Sequence, residues 1–222
     1  MTDASLAVRA RTHAALGDPA RLAIVDELSC SDRSPVELRR RLDIESNLLA
    51  HHLDVLEGVG MIERSRSSGD GRRRYVHLRP ETLDQLGLVH PIELGPALFV
   101  CTANSARSQL AAALWEQHTG QTATSAGTHP AASVNPRAVR AAARAGLDLR
   151  GAAPKTLSDL ESVPGLVVTV CDRAHEELSP DDAWLHWSVP DPVPVGTDAV
   201  FDATVAELQR RIEGIAGLAV AS

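Results

Sequence analysis

The apolar run Ala97-Leu98-Phe99-Val100 leads without a break into Cys101-Thr102-Ala103-Asn104-Ser105-Ala106-Arg107-Ser108, and that loop into the helical pattern Ser108–His118. A strand that delivers its last residue into a short loop opening a helix leaves the chain little freedom. The loop N–H groups and the positive end of the helix converge on one point, a cradle for a tetrahedral oxyanion. The same field favours the thiolate of Cys101, the nucleophilic form of the residue. Arg107 adds a planar fork able to grip two oxygens at once. The spacing Cys-x5-Arg is common by itself, and a buried cysteine beside a surface arginine is its plainer reading. Its specificity comes from the strand-loop-helix setting, from Ser108 beside the arginine and from Asn104 at the bend.

The 222 residues are enough for two domains with a sizeable core. No run of apolar residues is long enough to span a bilayer, and Met1–Ala15 lacks the contiguous apolar stretch of a secretory signal. Three cysteines at distant positions do not form a disulfide framework, so a reducing, cytoplasmic location is expected. The net charge of −7 is unevenly placed: residues 1–90 carry 13 Arg against 14 acids, residues 91–222 carry 9 Arg and Lys against 15. An acidic total excludes indiscriminate polyanion binding, so contact with nucleic acid has to rest on a local patch.

In the first part, Met1–Leu16 has helical spacing, and Asp18-Pro19 reads as an N-cap with proline opening a helix through Leu28. Ser34-Pro35 repeats the signal for Val36–Leu42, and Ser46 is placed to cap a fourth helix through Leu56, stopped near Gly58 and Gly60. Met61–Ser67 and Arg73–Leu78 have strand character and flank the turn cluster Ser68-Gly69-Asp70-Gly71. Helices followed by a hairpin predict a winged helix-turn-helix over residues 1–86. Arg64, Arg66, Arg72, Arg73, Arg74 and Arg79 form a stripe suited to phosphates, with Asp70 the one acid between its ends. Ser46, Asn47 and His51 are candidates for base or phosphate contacts from the fourth helix. Leu48, Leu49 and Asp54 on that helix argue the other way.

Ala15-Leu16-Gly17-Asp18-Pro19-Ala20-Arg21-Leu22 resembles the opening of ArsR-family winged-helix repressors. His51-His52-Leu53-Asp54-Val55-Leu56-Glu57-Gly58-Val59-Gly60-Met61-Ile62 resembles their recognition helix and wing entry. The resemblance implies operator DNA as a partner and a homodimer. The family's Cys-x-Cys metal pair is matched here by Ser34-Pro35-Val36 and Cys30 stands alone, so no metal site is expected.

Residues 87–96, with Pro91, Gly95 and Pro96, read as a linker, and 97–222 as a second domain. Strand signals at Thr122–Ala126 and Leu166–Val170 alternate with helical ones at Pro136–Ala145, Thr156–Glu161 and Phe201–Leu218. The alternation predicts an α/β, doubly wound parallel sheet with helices on both faces. Ligands of such sheets lie at the carboxyl ends of strands, where Cys101 and Cys171 both fall.

This part resembles the low-molecular-weight protein tyrosine phosphatase fold and, within it, the thiol-dependent arsenate reductases. The matching pieces are Val100–Gln109, Ser125-Ala126-Gly127-Thr128, Val134-Asn135-Pro136, Val167–Cys171 and His186-Trp187-Ser188-Val189-Pro190-Asp191-Pro192. The resemblance implies Cys101 as nucleophile, Thr102 to Ser108 as the oxyanion loop, Arg107 as its guanidinium, and Asp191 as general acid. It implies Cys171 as a second thiol attacking the arseno-cysteine. Ala103 stands where the family usually has glycine, and a demand for positive φ there would reshape the loop. The aromatic wall that tyrosine phosphatases carry after Asp-Pro is replaced by Val193-Pro194, which suits a small oxyanion, arsenate or phosphate. The third cysteine of the reductase relay is missing from Asp172–Asp182. No bound cofactor is expected; the reductant is an external low-molecular-weight thiol or a thioredoxin- or glutaredoxin-like protein. Three activities remain open: an arsenate reductase fused to a regulator in arsenic resistance, a regulator with a phosphatase-like sensor, and a protein tyrosine phosphatase.

Overall fold

The computed structural model describes residues 3–79, 94–179 and 183–220. The chain divides into two compact units, one of residues 1–66 and 72–90, the other of 67–71 and 91–222. The proposed domain end at residue 86 and most of the 87–96 linker lie outside the described residues.

The first unit contains α1 (Asp3–Leu16), α2 (Pro19–Cys30), α3 (Pro35–Leu42), α4 (Ser46–Gly58) and an antiparallel hairpin, β1 (Ile62–Arg66) with β2 (Arg74–Leu78). Two of its helix starts follow from their caps. The Asp18 carboxylate accepts from the N–H groups of Ala20 and Arg21, and these bonds, that of Arg21 first, hold its pKa below the ordinary value. Ser34 and Glu37 form a reciprocal capping box at α3. The expectation for Ser46 is corrected: Glu45 is the N-cap of α4, and it makes no side-chain capping bond. Ser46 lies inside the helix and its hydroxyl accepts from Arg39 at 3.1 Å, so the serine is spent on a neighbouring helix. The core is Ile24, Val25, Leu28, Leu38, Leu49, Leu53, Leu56, Met61, Ile62 and Val76. Each buried Leu or Ile contributes about 2 kcal/mol relative to an exposed one.

The second unit is built on a parallel sheet of β3 (Ala97–Cys101), β4 (Ala123–Gly127), β5 (Leu166–Thr169) and β6 (Leu185–His186), in the order β4-β3-β5-β6. Around it are α5 (Arg107–Thr119), α6 (Pro136–Arg144), α7 (Asp172–Leu178) and α8 (Asp198–Val220). Helix α5 packs on β3, β4 and α8, and α7 packs on β3 and β5. Phe99 lies between Trp115 and Trp187, with ring centroids 5.9 Å from each. The chain runs from β3 to one neighbour, β4, and later returns to the other, β5. The strand order therefore reverses between β3 and β5, and the crevice beyond their carboxyl ends is where such a sheet places its ligand. Helix α7 and strand β6 have no counterpart in the sequence reading, whereas the 3-10 turn Leu157–Asp159 falls within the expected helical piece.

Candidate active site

Cys101 ends β3, is 2 % exposed, and is paired in register with Gly127 of β4. Its Sγ lies 3.0 Å from the Ser108 hydroxyl and accepts the Asn104 N–H at 3.2 Å. The positive φ of the loop falls on Asn104, at 47°, and not on Ala103. Alanine therefore stands at position 103 without left-handed strain, and the reshaping expected from the lost glycine does not occur. Asparagine tolerates the left-handed region because its short amide bonds locally. Here the Asn104 amide donates to Ser108 and Ser125 at 2.8 and 2.9 Å, and its oxygen accepts from the Lys155 N–H at 2.9 Å. Gly127 is needed for closeness: a Cβ there would lie 2.7 Å from the Thr102 carbonyl oxygen and 3.0 Å from Asn104.

Arg107 opens α5 and is 7 % exposed. One guanidinium nitrogen donates to the Val189 carbonyl at 2.9 Å, and the other lies 3.3 Å from the Asp191 carboxylate. Asp191 is exposed and caps its own turn by accepting the Val193 N–H. The carboxylate of the candidate acid thus stands against the guanidinium at the start of α5.

Cys171 follows β5 and is the N-cap of α7, its Sγ accepting the Ala174 N–H at 3.4 Å. The Thr102 hydroxyl lies 3.4 Å from the same sulfur. Burial pushes the Cys171 thiol up, while the positive charge of Arg107 pulls the other way. The neighbouring Asp172 is held down at about 2: burial opposes this, but hydrogen bonds from His186 and Ser188 outweigh it. His186 is fully buried, stacks on His175 with centroids 4.1 Å apart, and reaches Asp172 at 3.2 Å. Sequence reading missed this polar cluster, because nothing in residue spacing brings 172, 175 and 186 together.

Ser46, Asn47 and His51 are exposed along α4, and Arg66, Arg72, Arg73 and Arg74 are exposed on the hairpin. Arg64 is engaged instead: its guanidinium lies 2.6 Å from Asp54 and 3.3 Å from Glu57. Asp54, which counted against DNA binding, thus faces an arginine of the wing. Burial raises the Cys30 pKa, and no cluster of metal-binding side chains occurs among the described residues.

The model for low molecular weight phosphotyrosine protein phosphatases matches residues 97–221, more than half of the chain. The chain belongs to this family. The N-terminal unit matches a helix-turn-helix domain over residues 16–65. An arsenate reductase of Halalkalibacterium halodurans is 35 % identical over 129 residues, covering 53 % of this chain and 92 % of the relative. An arsenate reductase of Brevibacillus brevis is 36 % identical over 101 residues, covering 42 % of this chain and 74 % of the relative. A solved arsenate reductase of Archaeoglobus fulgidus is 29 % identical, covers 55 % of this chain and 98 % of its own, and superposes with a TM-score of 0.47.

Proposed function

We propose that residues 97–222 reduce arsenate to arsenite with thiols, and that residues 1–86 bind DNA. The observation carrying the first part is Cys171 in contact with the oxyanion loop through Thr102, a second thiol where a phosphatase needs only one. The Cys101 thiolate attacks arsenate held by the loop amides and Arg107. A sulfur–arsenic bond forms, and an oxygen leaves as water with a proton from Asp191. The sulfur of a second thiol, Cys171 or a low-molecular-weight thiol, then attacks Cys101 Sγ. A disulfide forms, the S–As bond breaks, and its electron pair stays on arsenic, taking As(V) to As(III). The proton of the attacking thiol goes to an oxygen of the departing arsenite. An external thiol or dithiol protein reduces the disulfide. With Val193 exposed after Asp191-Pro192, no aromatic residue of that turn stands ready to flank a phenyl ring.

Mass spectrometry after arsenate exposure tests the route. With Cys171 as the second thiol, a Cys101–Cys171 disulfide accumulates without added thiol. Cys171→Ser then stops at the arsenylated or small-thiol-capped Cys101, and its turnover falls on the order of 100-fold or more. A Cys171→Ser variant with undiminished turnover under every reductant would remove Cys171 from the mechanism.

The exposed polar face of α4 and the arginines of the hairpin support the DNA-binding reading. Gel shift with the DNA upstream of the coding region is expected to show binding that weakens steeply with salt. Affinity that changes on adding arsenite or arsenate supports a sensor; affinity that stays constant supports a plain enzyme carrying a DNA-binding module.

A further inference from the structure

An oxyanion loop works only if its amides face inward, and something must hold them there. Every carbonyl from Cys101 to Ala106 is occupied. Cys101, Thr102, Ala103 and Ser105 accept from the backbone N–H groups of Thr128, His129, Ala131 and Asn135, at 3.2, 2.8, 2.9 and 2.8 Å. The Asn104 carbonyl accepts from Gln109 Nε2 at 3.1 Å, and that of Ala106 from the Leu110 N–H at 2.9 Å. In a trans peptide the C=O and the following N–H point in opposite directions. Fixing each carbonyl outward therefore turns the amides of residues 102–107 toward the cradle. The Asn104 N–H shows the result, since its peptide is pinned at Ala103 by Ala131 and it points at Cys101 Sγ.

Four of the six pins come from one stretch, residues 128–135, and that stretch is itself tied down. Val134 enters the core, and Asn135 caps α6 by accepting the Arg137 N–H. At the other end Glu177, an exposed residue of α7, accepts from the Thr128 hydroxyl at 3.0 Å and lies 2.6 Å from His129 Nε2. The cost of desolvating Glu177 is outweighed by those two hydrogen bonds, which keep its pKa below the ordinary value.

We propose that residues 128–135 are the positioning element of the oxyanion loop and that Glu177, which does not enter the cradle, is a positioning residue acting through it. The proposal rests on reading the loop around Cys101 as an oxyanion cradle. Two variants test it in the full-length protein. Ala131→Pro deletes the N–H that pins the Ala103 carbonyl. Glu177→Ala releases Thr128 and His129, and Glu177→Gln is the conservative control: its oxygen still serves Thr128, and its NH2 meets His129 in the other tautomer. The readout is the rate of Cys101 alkylation by iodoacetamide with and without inorganic phosphate, followed by mass spectrometry, beside thermal unfolding and arsenate turnover.

Phosphate is expected to protect Cys101 in the parent and in Glu177→Gln. Its apparent affinity falls roughly 10- to 100-fold in Ala131→Pro and roughly 10-fold in Glu177→Ala, with kcat/KM for arsenate falling in parallel. The unfolding temperature of Glu177→Ala stays near that of the parent, which separates positioning from general destabilisation. Phosphate protection retained at parental strength in Glu177→Ala overturns the role of Glu177. Protection retained in a folded Ala131→Pro overturns the role of the segment. A parent protein that phosphate does not protect overturns the cradle reading itself, a result distinguishable from the other two.

Discussion

Cys101→Ser is expected to lower arsenate reduction to the uncatalysed background, a loss on the order of 10⁴-fold or more. Serine preserves the shape of the loop and the contact with Ser108, so the loss reports chemistry and not folding. A hydroxyl at neutral pH is a poor nucleophile, and an oxygen–arsenic ester offers no sulfur for a second thiol to attack. Cys171 does not substitute as the first nucleophile, because it follows β5 and caps α7, outside the loop of residues 102–107 that holds the anion. The variant is expected to bind phosphate about as well as the parent by calorimetry, since the amides and Arg107 are untouched. Steady-state turnover retained at even a tenth of the parental rate would remove Cys101 from the nucleophile's role.

The second large effect is expected at Arg107. Its guanidinium holds the Val189 carbonyl with one nitrogen and faces Asp191 with another, and the residue is 7 % exposed. Lysine keeps the charge but has one point of attachment, so it cannot anchor on Val189 and also present two parallel donors to an anion. Arg107→Lys is expected to lower kcat/KM for arsenate about 10²- to 10³-fold, in the range of one lost oxyanion-hole donor. The loss appears in phosphate affinity as well, because the guanidinium grips the ground-state anion too. Parental kcat/KM in this variant would show that charge alone, and not the fork, serves the site.

Much of this site was legible in the sequence because it is local. Cys101, Asn104, Arg107 and Ser108 lie within eight residues between a strand and a helix, and their order forces them around one point. The cap signals of α2 and α3 were equally local, with Asp18 and Ser34 each serving N–H groups within three residues. What the sequence hid depends on long-range pairing. Helix α7 has seven residues and begins at a cysteine cap, with Ser179 in the left-handed region at its end in place of glycine, so none of the usual punctuation marks it. Strand β6 has two residues, too few for an alternating pattern. Ser46 carried the right residue type for a cap, but Arg39 lay close enough to claim its hydroxyl. Five of the six pins on the loop carbonyls are main-chain bonds, and residue identity records the arrangement only in the Gln109 side chain and at Gly127, where space is short.

All three tryptophans, Trp115, Trp184 and Trp187, belong to the second unit, and two of them flank Phe99 at the centre of its core. The single tyrosine, Tyr75, is buried in the first unit. Emission under selective tryptophan excitation therefore tracks the melting of the reductase portion alone and is blind to the fate of the helix-turn-helix. A melt followed this way and again by far-ultraviolet dichroism compares the second unit with the whole polypeptide, without any label.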